Sequence, residues 1–193
     1  DELMEELKKV KLPPVKIVLT GGGRVSKGSM EILNAIPIKK VTPDKFLHSE
    51  FHEPVYTQLN TRDYNTHKDG EAFVRSDFYK HPDRYEGDFL RYAEEADILI
   101  AGAFWDPRSP VLFRREDMLE GSFRIRVIAD ITCDIEGSIP STKKPSTIED
   151  PVYDYDPTGD QVDPPYSDEG NITVMAVDNL PCELPRNASQ DFG

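Results

Sequence analysis

The sequence predicts an α/β fold built on a doubly wound, mostly parallel sheet. Three observations carry the prediction. The stretch KIVLTGGGRVSKGSM, residues 16–30, runs strand formers into three glycines and then into a helix-compatible segment. The run ADILIAGA, residues 96–103, is apolar almost throughout, as a parallel strand covered on both faces must be. About six strand-like segments alternate with helix-like ones along the chain.

Residues 1–11 place Leu3, Met4, Leu7 and Val10 at helical spacing, and Pro13-Pro14 end that helix. Residues 1–14 are therefore expected to form a leading helix and linker, with a single domain over 15–193. Ile17 to Thr20 form the first strand. Gly21 and Gly23 take the first two places of G-x-G-x-x-G; Ser26 takes the third, and Gly28 comes two residues late. A pyrophosphate reaches backbone N–H groups at a helix N-terminus only where no Cβ intervenes. A glycine-rich turn that binds nothing is the alternative. The following helix, over 26–35, puts Met30, Leu33 and Ile36 on one face, and Pro37 ends it. Residues 38–42, IKKVT, read as the second strand. Asp44, just beyond, either binds the adenosine ribose or caps the helix that begins at Lys45.

Residues 51–59 are rich in strand formers, and 60–70 are polar and turn-like. His48 and His52 stand at i, i+4 without a third ligand and read as surface residues. Tyr85, Phe89 and Tyr92 suggest a one-sided helix ending at Glu95. The strand at 96–103 delivers Gly102, Ala103 and Phe104 to its carboxyl end, where open α/β sheets bind ligands. A tight turn before Pro107 is the structural alternative. Residues 114–119 form a short amphipathic helix, and 126–131 a strand with Asp130 near its end. Residues 136–170 read as an irregular acidic excursion. Asp154, Asp156 and Asp160 imitate a calcium loop, but Pro165 stands where the twelfth-position Glu belongs. Residues 171–177, NITVMAV, form a last strand leading to Asp178, Asn179 and Leu180, and a helix begins at Pro185. Right-handed crossovers bring the ends of Thr20, Ala101, Ile131 and Val177 to one edge.

The 193 residues suffice for one domain with its own core. Mean hydropathy is negative, and no apolar run approaches the ~20 residues of a membrane span. A net charge of −13 argues against nucleic acid, though not against a single dinucleotide. Cys133 and Cys182 lie far apart and read as free thiols, so a cytoplasmic protein is expected. The charged opening residues do not resemble a signal peptide. The chain begins without Met and ends on Gly193, and it is expected to be a piece of a longer protein. A homo-oligomer is left open.

Four stretches together point to a known family. GGGRVSKGSMEIL resembles the nucleotide turn of the lysine-ketoglutarate reductase and saccharopine dehydrogenase family. ADILIAGAFWDPRSPVLFRREDM resembles its later strand with the W-x-P-x-x-P-x-L follow-on. IADITCDIEGSIPSTKKPSTIEDPVYDYDP is similar to its D-I-T-C-D-x-x-G-S-I segment, and MAVDNLPCELPRNASQDFG to its closing D-x-L-P and A-S-x-x-F-G motif. The match spans most of 15–193, with 44–77 unaligned. The family is related in fold to alanine dehydrogenase and to the nicotinamide nucleotide transhydrogenase domain.

The resemblance implies a Rossmann-type dinucleotide-binding domain, NAD or NADP as cofactor, and hydride transfer at a C–N bond. Lysine and 2-oxoglutarate would condense to an imine that is reduced to saccharopine. It assigns the pyrophosphate to Gly21, Gly22 and Gly23, with Arg24 meeting a phosphate or standing as a surface residue, and Val25 packing nearby. Gly102, Ala103 and Phe104 would border the path from adenine to nicotinamide. Asp130, Ile131 and Thr132 would lie near the inner ribose, and Asp178, Asn179 and Leu180 would face the nicotinamide. Asp130 or Asp178 is alternatively a strand-end carboxylate bonded to backbone N–H groups. The family's proton-handling lysine and histidine belong to an N-terminal domain missing from this chain, so no catalytic residue is assigned and the chain alone is expected to be inactive. The rival expectations are an alanine dehydrogenase-like oxidoreductase and a non-catalytic nucleotide-sensing or interaction module.

Overall fold

β1 (Lys16–Thr20) is buried from its second residue to its last. A strand enclosed on both faces loses its side chains' water on both sides, which favours an apolar run such as IVL. The computed structural model describes residues 2–182 and 185–192. Helix α1 (Glu2–Leu7) precedes β1 and touches α2 (Arg24–Ala35); Asp1, the first residue of the expected leading helix, lies outside the described residues.

The central sheet has eight strands. Across it run β2 (Lys39–Lys40), β3 (Val55–Leu59), β1, β6 (Ile98–Ala101), β7 (Val127–Asp130), β10 (Ile172–Met175), β8 (Val152–Asp156) and β9 (Gln161–Asp163). The first six are parallel. β8 pairs antiparallel with β10, and β9 antiparallel with β8. The expected α/β, mostly parallel sheet is present.

Alternation along β1 divides the core. Ile17 and Leu19 join Tyr56 against Leu33 of α2, with Met30 and Ile36 beside them, as the helical spacing predicts. Val18 faces the other way, with Leu99, Ile128 and Val174, beneath Phe46, Phe89, Tyr92 and Phe113. Phe46 comes from α3 (Pro43–His48) and Tyr92 from the single turn α5 (Leu90–Ala93). α4 (Arg75–Lys80) and α6 (Arg115–Met118) are short, and α7 (Pro185–Phe192) closes the chain.

Three expectations change. The segment 38–42 shrinks to two exposed lysines at the sheet's rim, and β3 takes the place beside β1. Val55, Tyr56, Thr57 and Leu59 are buried there, whereas Lys39 and Lys40 keep their ammonium groups in water at the edge. The acidic excursion at 136–170 contains the β8–β9 hairpin. Tyr153 and Tyr155 alternate into the core, so the run YDYD carries a strand period. The helix expected through Tyr85 is only α5; Tyr85 instead sits in β5 (Tyr85–Gly87), which pairs antiparallel with β4 (Asn65–His67) in a separate two-stranded sheet over the main sheet's carboxyl end.

Candidate functional site

Each of the three glycines after β1 has its own reason to lack a side chain. Gly21 has φ +108°, and a Cβ there would stand 2.3 Å from Ser26 Oγ and 2.8 Å from the Gly102 carbonyl oxygen. Its N–H donates to the Leu59 carbonyl at 2.8 Å, which ties the turn to β3. A Cβ on Gly22 would lie 2.5 Å from Asn60 Oδ1. One on Gly23 would meet nothing within 4 Å, so its surface is open. Gly23 is the N-cap of α2 and offers no side-chain cap. The first amides of the helix are thus left for an outside acceptor.

A cleft of about 660 Å³ opens beside this turn, a size that suits a small-molecule ligand. Eight of the fifteen candidates line it: Gly21, Gly22, Gly23, Arg24, Val25, Gly102, Ala103 and Phe104. The wall also holds Asn60, Thr61 and Arg62, from the end of β3, and Phe73, Arg75 and Tyr79. In a chain of net charge −13, three arginines line the cleft and, among the described residues, no carboxylate does. Its potential favours an anion. Arg75 stacks over Tyr79, 5.6 Å from the ring centroid, and Phe104 is 85% exposed at the rim. Asn60, Thr61 and Arg62 were missed because residues 60–70 read as a polar turn; the signal available was the strand-former content of 51–59, which marks the strand whose end they occupy. Phe73, Arg75 and Tyr79 come to the cleft through the packing of α4 and the segment before it, which local pattern does not show.

Asp44 does not reach this cleft. It sits exposed in the first turn of α3, which Thr42 caps, and its carboxylate lies 3.3 Å from His48 Nδ1. The strand beside β1 is β3, so the residue that follows that strand and lines the cleft is Asn60, not Asp44.

Asp130 lies at the end of β7 and is 1% exposed. Its carboxylate accepts from Thr132 N, Thr132 Oγ1, Cys133 N and Thr142 Oγ1 at 2.6–3.3 Å. Three donors converge on Oδ1 and Thr142 Oγ1 holds Oδ2, so the carboxylate clamps the 131–133 turn and, at 1% exposure, is spent on its own chain. Ile131 and Thr132 belong to that clamped turn and do not line the cleft. Asp178 and Asn179 are exposed and Leu180 half-buried beyond β10, at the same sheet edge but also outside the cleft lining.

The 131–134 turn is not set up for nucleophilic chemistry. Burial pushes the Cys133 thiol up, as do the carboxylates of Asp130, Asp178 and Asp134. Burial, with the Asp130 charge, likewise raises Asp134. Among the described residues no group of three or more His, Cys, Asp or Glu is arranged to hold a metal ion. What the cleft offers is binding: bare amides, guanidinium groups and apolar rings.

Relatives with this segment are known. The chain is 29% identical over 200 residues to an alpha-aminoadipic semialdehyde synthase of Arabidopsis thaliana, covering 93% of this chain and 19% of that protein. It is 30% identical over 203 residues to the mitochondrial alpha-aminoadipic semialdehyde synthases of mouse and cattle, covering 93% of this chain and 22% of each. The chain is a homologue of one segment of the lysine-ketoglutarate reductase/saccharopine dehydrogenase family. The resemblance read from the four motifs is borne out, and the chain spans about one fifth of the length of these synthases. No family model matches it. The cytoplasmic expectation is corrected: the mouse, rat and bovine synthases are named mitochondrial. Unpaired cysteines and a charged opening segment do not distinguish the two compartments. No helix among the described residues is long and apolar enough to cross a membrane.

Proposed function

We propose that the chain is the nicotinamide dinucleotide-binding unit of an amino-acid dehydrogenase of the saccharopine type, working with a substrate-holding domain supplied by the rest of the protein. The observation that carries this reading is the cleft that bare glycine amides at the start of α2 share with three arginines and, among the described residues, no acid. The open surface of Gly23 fits a diphosphate pressed against the backbone. The coenzyme, when bound, supplies the hydride.

The chain's own residues then divide the work. Gly22, Gly23 and the first amides of α2 hold the pyrophosphate, with Arg24 over it. Ala103 and Phe104 flank the adenosine half. Asn60, Thr61 and Arg62 face its ribose. An acid at that place selects a free 2′-hydroxyl, whereas an arginine accommodates a 2′-phosphate. Arg62 and Arg75 therefore favour NADP(H) over NAD(H). Ile131, Thr132, Asp178, Asn179 and Leu180 remain the candidates for the distal half. The relatives' names, together with the motif match, support chemistry at a C–N bond of lysine metabolism.

Fluorescence titration with NADPH and NADH tests the binding role. Saturable binding, tighter for NADPH, is expected. Absence of binding by either overturns the reading in favour of a non-catalytic module. An assay of the complete protein with lysine, 2-oxoglutarate and NADPH tests the reaction class.

A further inference from the structure

Both polar groups of the Gly21 backbone are held by consecutive residues of β3. The N–H donates to the Leu59 carbonyl at 2.8 Å. The carbonyl oxygen accepts from Gln58 Nε2 at 3.0 Å. The other end of the Gln58 amide, Oε1, accepts from Lys40 Nζ at 3.1 Å. An ammonium only donates and a backbone carbonyl only accepts, so the two ends of this amide are not interchangeable. Lys40 thereby fixes which end faces the turn.

The consequence falls on the next residue. The Gly21 carbonyl and the Gly22 N–H belong to one planar trans peptide and point in opposite directions. With the carbonyl tied to Gln58, the N–H is turned away from Gln58, on an exposed residue of the cleft wall. Among the described residues no backbone carbonyl accepts from it. A glycine on each side makes rotation of this peptide cheap, so its orientation depends on what holds it.

We propose, on the dinucleotide-binding reading above, that Gln58 is a positioning residue for the coenzyme: by holding the Gly21 carbonyl it presents the Gly22 N–H to the diphosphate. Lys40 acts one step behind, by orienting the Gln58 amide. Neither side chain lines the cleft, so both act through the backbone of the turn.

The test is an NMR titration of the chain, with its glycine amides labelled, using NADPH and adenosine, which lacks the diphosphate. In the wild type the Gly22 amide signal should move on saturation with NADPH and stay in place with adenosine. Gln58→Met keeps the length of the side chain and removes the donor. It should weaken NADPH about fivefold and leave adenosine unchanged; a general loosening of the fold would weaken both. Equal weakening of the two ligands, or full affinity for NADPH in the folded variant, overturns the proposal and leaves the dinucleotide reading intact. So does a Gly22 amide that stays in place while the wild type saturates with NADPH, a result that needs no variant. Failure of the wild type to bind NADPH overturns both.

Discussion

Ser26 Oγ donates to the Thr20 carbonyl oxygen at 3.0 Å and lies 3.5 Å from that of Gly102. The residue in the third glycine's place thus ties α2 to the ends of β1 and β6. Restoring the glycine should weaken the protein. Ser26→Gly loses one buried hydrogen bond and adds a glycine to a helix, about 1–2 kcal/mol together. A lowered urea midpoint at unchanged slope would show it.

Gly21 and Gly23 should respond differently to a side chain. Gly21→Ala forces a positive φ and a backbone clash at Gly102, and should cost about 1–3 kcal/mol of stability. Gly23→Val meets open space, so the thermal midpoint should stay close to wild type while dinucleotide binding falls at least tenfold by steric exclusion. A folded Gly23→Val protein with full affinity would refute the assigned turn.

Arg62→Ala tests the coenzyme preference. Removing a charge-assisted contact to a 2′-phosphate should weaken NADPH about tenfold and leave NADH nearly unaffected. Parallel titrations measure the ratio.

Asp130→Asn should act on folding. The amide oxygen can keep the three donors on Oδ1, but they lose their charged acceptor, the Thr142 hydroxyl must reverse to accept, and the second amide N–H is left without a partner in a buried site. A loss of about 3 kcal/mol is expected in chemical denaturation.

Asp154 should give the protein part of its acid sensitivity. Burial alone raises its pKa, but donors from Thr173 Oγ1 at 2.8 Å, Ser167 N at 2.7 Å and Ser167 Oγ at 3.1 Å outweigh burial and hold it below 3.8. A depressed native pKa stabilises the fold above the unfolded value, about 3.9, and the gain is lost as pH falls through the native value. Asp154→Asn should therefore be less stable than wild type at pH 7, and the gap should narrow below about pH 4. Urea midpoints at several pH values measure it.

Most parallel strands were readable from local pattern, because a doubly covered strand must be apolar and Ile17–Leu19 and Ile98–Ile100 are. The position of a strand within the sheet is not local. Residues 38–42 and 55–59 both read as strands, and only tertiary packing decided that the second lies beside β1. That one exchange drew attention to Asp44 and away from Asn60 and Arg62, which line the cleft. The glycine turn itself was legible because its amides act through the backbone. Asp130 looked ligand-facing because its four donors come from residues 132–142, which read as loop. The YDYD run showed an alternation, but its acids and flanking prolines masked the strand.

β2 has two residues and borders only β3. Its backbone can detach without disturbing β1, β6, β7 or β10, so Lys39, whose N–H donates to the Pro54 carbonyl, should exchange its amide hydrogen through a small local opening. The interior amides of β1, paired on both sides, should exchange only when the whole sheet comes apart.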